Sequence, residues 1–122
     1  MPSESHIQAA IRLALGGRDV VLWRNETGAA VPCRLEELKA ARKDPKVLER
    51  LIARGLVSYG LCKGSSDLIG IRRDGRFVAI EVKAERGRLR PEQERFLGLV
   101  DAYGGLAGVA RSVDEARRII EL

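Results

Sequence analysis

The stretch Gly64-Ser65-Ser66-Asp67-Leu68-Ile69-Gly70-Ile71, the turn Arg73-Asp74-Gly75-Arg76, and then Phe77-Val78-Ala79-Ile80-Glu81-Val82-Lys83 decide how this chain folds. An Asp-Gly pair between two apolar runs predicts a β-hairpin. Side chains alternate along a strand, so Glu81 and Lys83 share one face with Ala79, while Val78, Ile80 and Val82 take the other. Folded back in register, Asp67 at the start of one strand comes to lie near Glu81 and Lys83 towards the end of the next. Two carboxylates and an ammonium then converge on one small volume. That set can hold a divalent cation and place a cationic donor beside a water or a phosphate.

Alternating Glu and Lys on a strand face is by itself ordinary, because cross-strand charge pairs are mildly stabilising. Three features set this instance apart. Asp67 follows a Gly-Ser-Ser turn instead of sitting in a polar strand face. A basic loop follows at once: Lys83, Arg86, Arg88 and Arg90 stand against Glu85 alone. The pair also sits inside a definite order of elements.

At 122 residues the chain has the size of one domain, spanning 1–122. Apolar residues make up 45% and charged residues 32%, which excludes a disordered chain. No apolar run approaches the roughly 20 residues of a membrane-crossing helix. Met1-Pro2-Ser3-Glu4-Ser5-His6 lacks the basic and apolar segments of a signal peptide, so a cytoplasmic protein is expected. Cys33, Cys62 and His6 are too few for a Cys/His zinc site and include no Cys-x-x-Cys pair. The cysteines are expected to be small, partly buried apolar residues, and any metal a hard ion on oxygen ligands. A hydrolytic triad would have to use His6, in the first turn of a helix, and is set aside. The net charge of +5 and pI near 9.7 favour a polyanionic partner.

Ser3 can cap a helix to about Leu15, with Ile7, Ile11, Ala14 and Leu15 as its apolar stripe. Glu4 extends that buried stripe at the helix tip. Val20–Arg24 is a strand, and Asn25-Glu26-Thr27-Gly28 a polar loop. Leu35, Leu38 and Ala41, then Val47, Leu48, Leu51 and Ile52, form the stripes of a helical pair around Pro45, closed by Gly55. Pro91 starts a helix with Phe96, Leu97, Val100 and Tyr103 on its apolar side. Gly104-Gly105 stops it. Leu106–Ala110 is a short strand, and Ser112-Val113-Asp114-Glu115 a capping box opening a helix with Ala116, Ile119 and Ile120 inward. The order is helix, strand, two helices, two hairpin strands, helix, strand, helix. The helix joining the second hairpin strand to the last strand calls for a parallel crossover. The expected fold is α/β: a small mixed sheet flanked by helices, with an inserted helical pair.

These residues resemble the PD-(D/E)xK nucleases, and within them the VRR-NUC (virus-type replication-repair nuclease) domain. The likeness rests on Glu4-x-x-x-Gln8, Trp23-Arg24-Asn25 with Gly28, Gly64-x-x-Asp67-Leu68-Ile69-Gly70, Glu81-Val82-Lys83, Gly87-Arg88, Gln93 and Gly104-Gly105. Ser66 stands where the motif's name has proline, and the Arg34–Arg54 pair has no counterpart in the motif. The resemblance implies a restriction-endonuclease-like core that hydrolyses DNA phosphodiesters. By position, Asp67 and Glu81 would ligate Mg2+ or Mn2+, with the Val82 carbonyl and Glu4 as further ligands. Lys83 would orient or deprotonate the attacking water and offset transition-state charge. Gln93 would position the lysine or the water. Arg24, Asn25, Arg86, Arg88 and Arg90 would contact DNA. Stand-alone domains of this size resemble phage enzymes that cut branched DNA, four-way (Holliday) junctions included, as homodimers, and larger relatives serve DNA repair.

Other classes compete. A DNA-binding module of nuclease fold would need the arginines but not the carboxylates. A sequence-specific restriction-like endonuclease would need a base-reading element, which only the Arg34–Arg54 helices could supply. A structural protein with an ordinary charged hairpin would need neither. The helical pair is expected to pack on its own sheet, or else to face a second copy.

Overall fold

The computed structural model describes residues 1–121. Its elements run α1 (Glu4–Leu15), β1 (Val20–Arg24), β2 (Gly28–Ala30), α2 (Leu35–Ala41), α3 (Pro45–Ala53), β3 (Val57–Tyr59), β4 (Leu68–Arg72), β5 (Phe77–Val82), α4 (Pro91–Ala102), β6 (Leu106–Ala110) and α5 (Val113–Ile120). A mixed four-stranded sheet in the order β1-β4-β5-β6 forms the centre. β4 and β5 are the expected antiparallel hairpin, with Leu68 opposite Ile80, and β6 runs parallel to β5. This is the α/β fold the sequence predicts.

Register sorts the side chains. Val20, Leu22, Leu68, Val78, Ile80 and Val82 pack with Ile7, Ile11 and Leu15 of α1 and Ala116 of α5. α4 covers β5 and β6 on the opposite face. β1 and β4 are bare on that face, so Val21 (43% exposed), Trp23 (53%) and Ile71 (47%) meet solvent. Gly70 lets β1 and β4 close: a Cβ there would stand 1.9 Å from the Val21 carbonyl oxygen. Arg72, on the core face, donates to the Ile120 and Glu121 carbonyls at 2.9 Å each and pairs with Asp74 at 2.6 Å. It ties the hairpin turn to the end of α5, and its hydrogen bonds hold Asp74 down to about 2.

The segment between β1 and β4 departs from the sequence reading. Gly28–Ala30 and Val57–Tyr59 form a second, two-stranded antiparallel sheet, where the sequence reading placed no strand: its polar loop ended at Gly28 and its helical pair closed at Gly55. Three-residue strands carry too little periodicity to be seen. α2 and α3 pack chiefly on each other, not on the central sheet, and only Leu51 is buried. Leu35, Leu38, Leu48 and Ile52 are exposed, because the two-stranded stem carries the helices away from the core.

Smaller expectations also fail. Ala14, between the buried Ile11 and Leu15, is exposed, and so is Tyr103, which caps α4 instead of lying within it. Both cysteines are exposed and free. Glu115 closes its capping box one residue early, accepting from the Arg111 amide at 2.7 Å while Ser112 Oγ accepts from Glu115 N at 3.2 Å.

Candidate active site

The hairpin register carries Asp67 beyond the start of β4 to the level of Glu81 on the α4 face. Its Oδ2 accepts the Val82 amide at 2.9 Å, and its own carbonyl accepts from Asn25 N at 2.7 Å. Glu81 (2% exposed) and Lys83 (8%) are buried side by side, with Lys83 Nζ 3.6 Å from Glu81 Oε1. Gln93 reaches in from the first turn of α4. Its Nε2 donates to Glu81 Oε1 at 3.0 Å, and its Oε1 accepts the Arg90 amide at 2.9 Å. One amide thus closes the helix end and orients a buried carboxylate. Its contact is with Glu81, where the resemblance had Gln93 position the lysine or the water.

Glu81 Oε2 is buried and has no hydrogen-bond partner among the described residues. Burial, followed by the neighbouring Asp67 carboxylate, pushes Glu81 up to about 8, against the downward pull of Lys83. Two carboxylates lie together, the Lys83 ammonium stands 3.6 Å from Glu81, and one oxygen of Glu81 is left without a hydrogen-bond donor. A hard divalent cation supplies what that arrangement lacks, and carboxylate oxygen is its preferred ligand. The donors present therefore fit Mg2+ or Mn2+. Among the described residues no three His, Cys, Asp or Glu side chains gather into a metal-holding group.

Glu4 is the exception. It is exposed, because the tip of α1 projects past Ile7, the first buried residue of its stripe. Its Oε1 lies 3.4 Å from the Ala84 amide, at the root of the basic loop. The loop crosses it closely at Gly87, where a Cβ would stand 3.2 Å from Glu4 Oε1 and 3.3 Å from Lys83 Cδ.

Asn25 is likewise not free to meet DNA. Its Nδ2 donates to Ser65 Oγ at 2.7 Å and the Ser66 carbonyl at 2.9 Å, and its Oδ1 accepts the Leu61 amide at 3.0 Å. It is buried and moors both the turn before Asp67 and the chain leaving β3. Arg24 is exposed and paired with Glu26. Arg86, Arg88 and Arg90 are all exposed on the loop after β5, Arg90 pairing with Glu92 at 3.7 Å.

Sequence reasoning missed three residues. Ser65 donates to the Cys62 carbonyl at 2.6 Å and shapes the turn. Arg111 donates to the carbonyls of Ala84 at 2.6 Å and Gly87 at 2.9 Å, holding the basic loop from β6. Its one signal is an arginine directly before a helix cap. Tyr59 lines, with Asp67, Gln93 and Arg90, a cleft of ≈ 290 Å3.

No helix among the described residues is long and apolar enough to cross a membrane. Compared with curated proteins and with solved structures, the chain matches none. A family model, the VRR-NUC domain, matches residues 38–114. That segment holds Asp67, Glu81, Lys83, Gln93 and most of the helical pair, whereas Glu4, Arg24 and Asn25 lie before it. Family model, hairpin register and the neighbouring carboxylates of Asp67 and buried Glu81 agree, and the chain belongs to the VRR-NUC domain family of nucleases, whose substrate is DNA.

Proposed function

We propose that the chain is a Mg2+- or Mn2+-dependent endonuclease that hydrolyses DNA phosphodiester bonds in branched DNA, four-way junctions included, as a homodimer. The observation that carries this is the partnerless Glu81 Oε2, buried beside Asp67 and an ammonium. A structural charge pair would have no use for it.

A bound cation would polarise the scissile phosphate and lower the pKa of a water. Asp67 and Glu81 are the residues to hold it, with the Val82 carbonyl as a further oxygen. Gln93 keeps Glu81 aimed. Lys83 would orient the attacking water or a phosphate oxygen, and its charge would offset that developing in the transition state. Arg86, Arg88 and Arg90 hold the flanking phosphates, which fixes the strand without reading its sequence.

Resolving a four-way junction takes a cut in each of two opposed strands, and one chain carries one site. A two-fold dimer supplies two. The bare apolar face of β1 and β4, with Val21, Trp23 and Ile71, supports a second copy in contact. The test is a panel of linear duplex, flap, splayed and four-way DNA with Mg2+, Mn2+ or EDTA. Paired, symmetry-related nicks in the junction are expected with metal and no product with EDTA. Light scattering at micromolar concentration should give about twice the monomer mass. Linear duplex cut as readily as junctions by a strict monomer overturns the branched-DNA and dimer parts. Cleavage in EDTA overturns the metal.

A further inference from the structure

We propose that Tyr59 is a substrate-binding residue whose ring stacks on a nucleobase left unstacked at a branch point next to the scissile phosphate, so that the stem of the inserted arm selects branched DNA over linear duplex. The proposal rests on DNA lying in the cleft beside Asp67. Tyr59 is the last residue of β3 and stands directly opposite Gly28 of β2. A Cβ on Gly28 would lie 2.6 Å from Tyr59 Oη and 2.8 Å from Cζ, so the ring lies across the glycine backbone. Any other residue at 28 would push it away. The ring is nevertheless 49% exposed, a large aromatic surface held in place and left uncovered.

Its position gives that surface a use. Tyr59 shares the ≈ 290 Å3 cleft with Asp67, Gln93 and Arg90. That volume lies at the low end of small-ligand sites, which begin at about 300 Å3, and suits one nucleotide-sized group. Asp67 marks the scissile phosphate and Arg90 offers a neighbouring phosphate contact. The ring is mounted rigidly on them, since Asn25 ties the Leu61 amide, two residues after Tyr59, to the Ser65-Ser66 turn before Asp67. The polar groups of Asn25 are already committed, so little remains to read a base edge. Stacking on an aromatic face tolerates every base. A base inside a duplex is already stacked on both faces, so only one that has lost a stacking neighbour, as at a branch point or the start of a flap, can use the ring.

Two matched DNAs test this, a linear duplex and the same duplex with a flap whose first unpaired base is 2-aminopurine, with wild type, Tyr59→Phe and Tyr59→Leu. Binding is measured in EDTA. Wild type and Tyr59→Phe should quench the 2-aminopurine and prefer the flap. Tyr59→Leu should lose the quenching and roughly 5- to 100-fold in flap affinity, with duplex affinity unchanged. An abasic residue at the flap position should reproduce the loss with wild-type protein, which keeps the test decisive if Tyr59→Leu fails to fold. Equal flap binding and quenching by Tyr59→Leu, or no effect of the abasic residue, overturns the proposal. With Mg2+, ring-dependent binding without any cleavage removes the nuclease reading and leaves the stacking intact. Equal flap cleavage by wild type and Tyr59→Leu removes the stacking alone.

Discussion

Glu81 in the sheet and Glu37 in the inserted arm are the same residue type in opposite circumstances. Burial and Asp67 push Glu81 up to about 8. A paired hydrogen bond from the Arg54 guanidinium, with the Arg34 amide second, holds Glu37 down to about 2. The sheet places its carboxylate through long-range register and leaves it wanting a cation. The arm satisfies its carboxylate locally, and Arg54 also donates to the Pro32 carbonyl at 3.4 Å. Charge left unsatisfied is where this molecule is poised for chemistry, and charge fully answered is where it is only held in shape.

The sharpest way to break that contrast is to neutralise the sheet's charges. Asp67→Asn, Glu81→Gln and Lys83→Ala should each abolish cleavage while the fold and DNA binding persist, as circular dichroism and a gel-shift assay would show. Glu4→Gln, whose carboxylate sits at the edge, should weaken cleavage without abolishing it. Wild-type cleavage by Glu81→Gln in Mg2+ would remove the site assignment.

Next in size is the basic loop. Neutralising Arg86, Arg88 and Arg90 should weaken binding to all sequences alike and flatten the salt dependence by about one unit of slope for each arginine neutralised. Affinity that ignores salt would assign DNA binding elsewhere.

Asn25→Ala tests the hinge between the two regions. It strands the Leu61 amide and the Ser66 carbonyl, so a loss of roughly 2–3 kcal/mol in chemical denaturation is expected. Cleavage should fall with it, because Asn25 moors the turn that carries Asp67.

The hairpin, the mixed sheet and the convergence of Asp67, Glu81 and Lys83 were legible because an Asp-Gly turn and strict alternation leave one register. The jobs of Asn25 and Gln93 were not. Asn25 sits in a polar stretch, and its partners at 61, 65 and 66 become neighbours only when β1 pairs with β4. The short strands β2 and β3 emit no periodic signal, and nothing in the sequence singles out Tyr59. Leu35, Leu38 and Ile52 carried a true helical period, but period says which face is apolar and not what covers it.

The pH dependence of stability separates the two carboxylates. Glu37, with its pKa lowered in the fold, contributes stability present above about pH 4.5 and lost as pH falls towards 2. Glu81, with its pKa raised, works the other way. The metal-free fold binds its proton more tightly than the unfolded chain, so stability declines as pH rises from about 4.5 to about 8. Melting of the metal-free protein should therefore peak near pH 5, with Mg2+ raising Tm more at pH 8 than at pH 5. Glu81→Gln should remove the decline on the alkaline side. A flat profile in the wild type would separate Glu81 from the shift.

Gln93 joins the first turn of α4 to the carboxylate it orients, and this makes a clock of that turn. Whenever the helix end frays, the Arg90 amide loses its acceptor and Glu81 loses its guide in the same event. Hydrogen exchange at that single amide, which counts local openings of the native state, therefore reports how often the carboxylate is misaligned. A slow-exchanging Arg90 amide would mark a centre aligned before substrate arrives, and a faster one on Gln93→Ala would time the alignment directly.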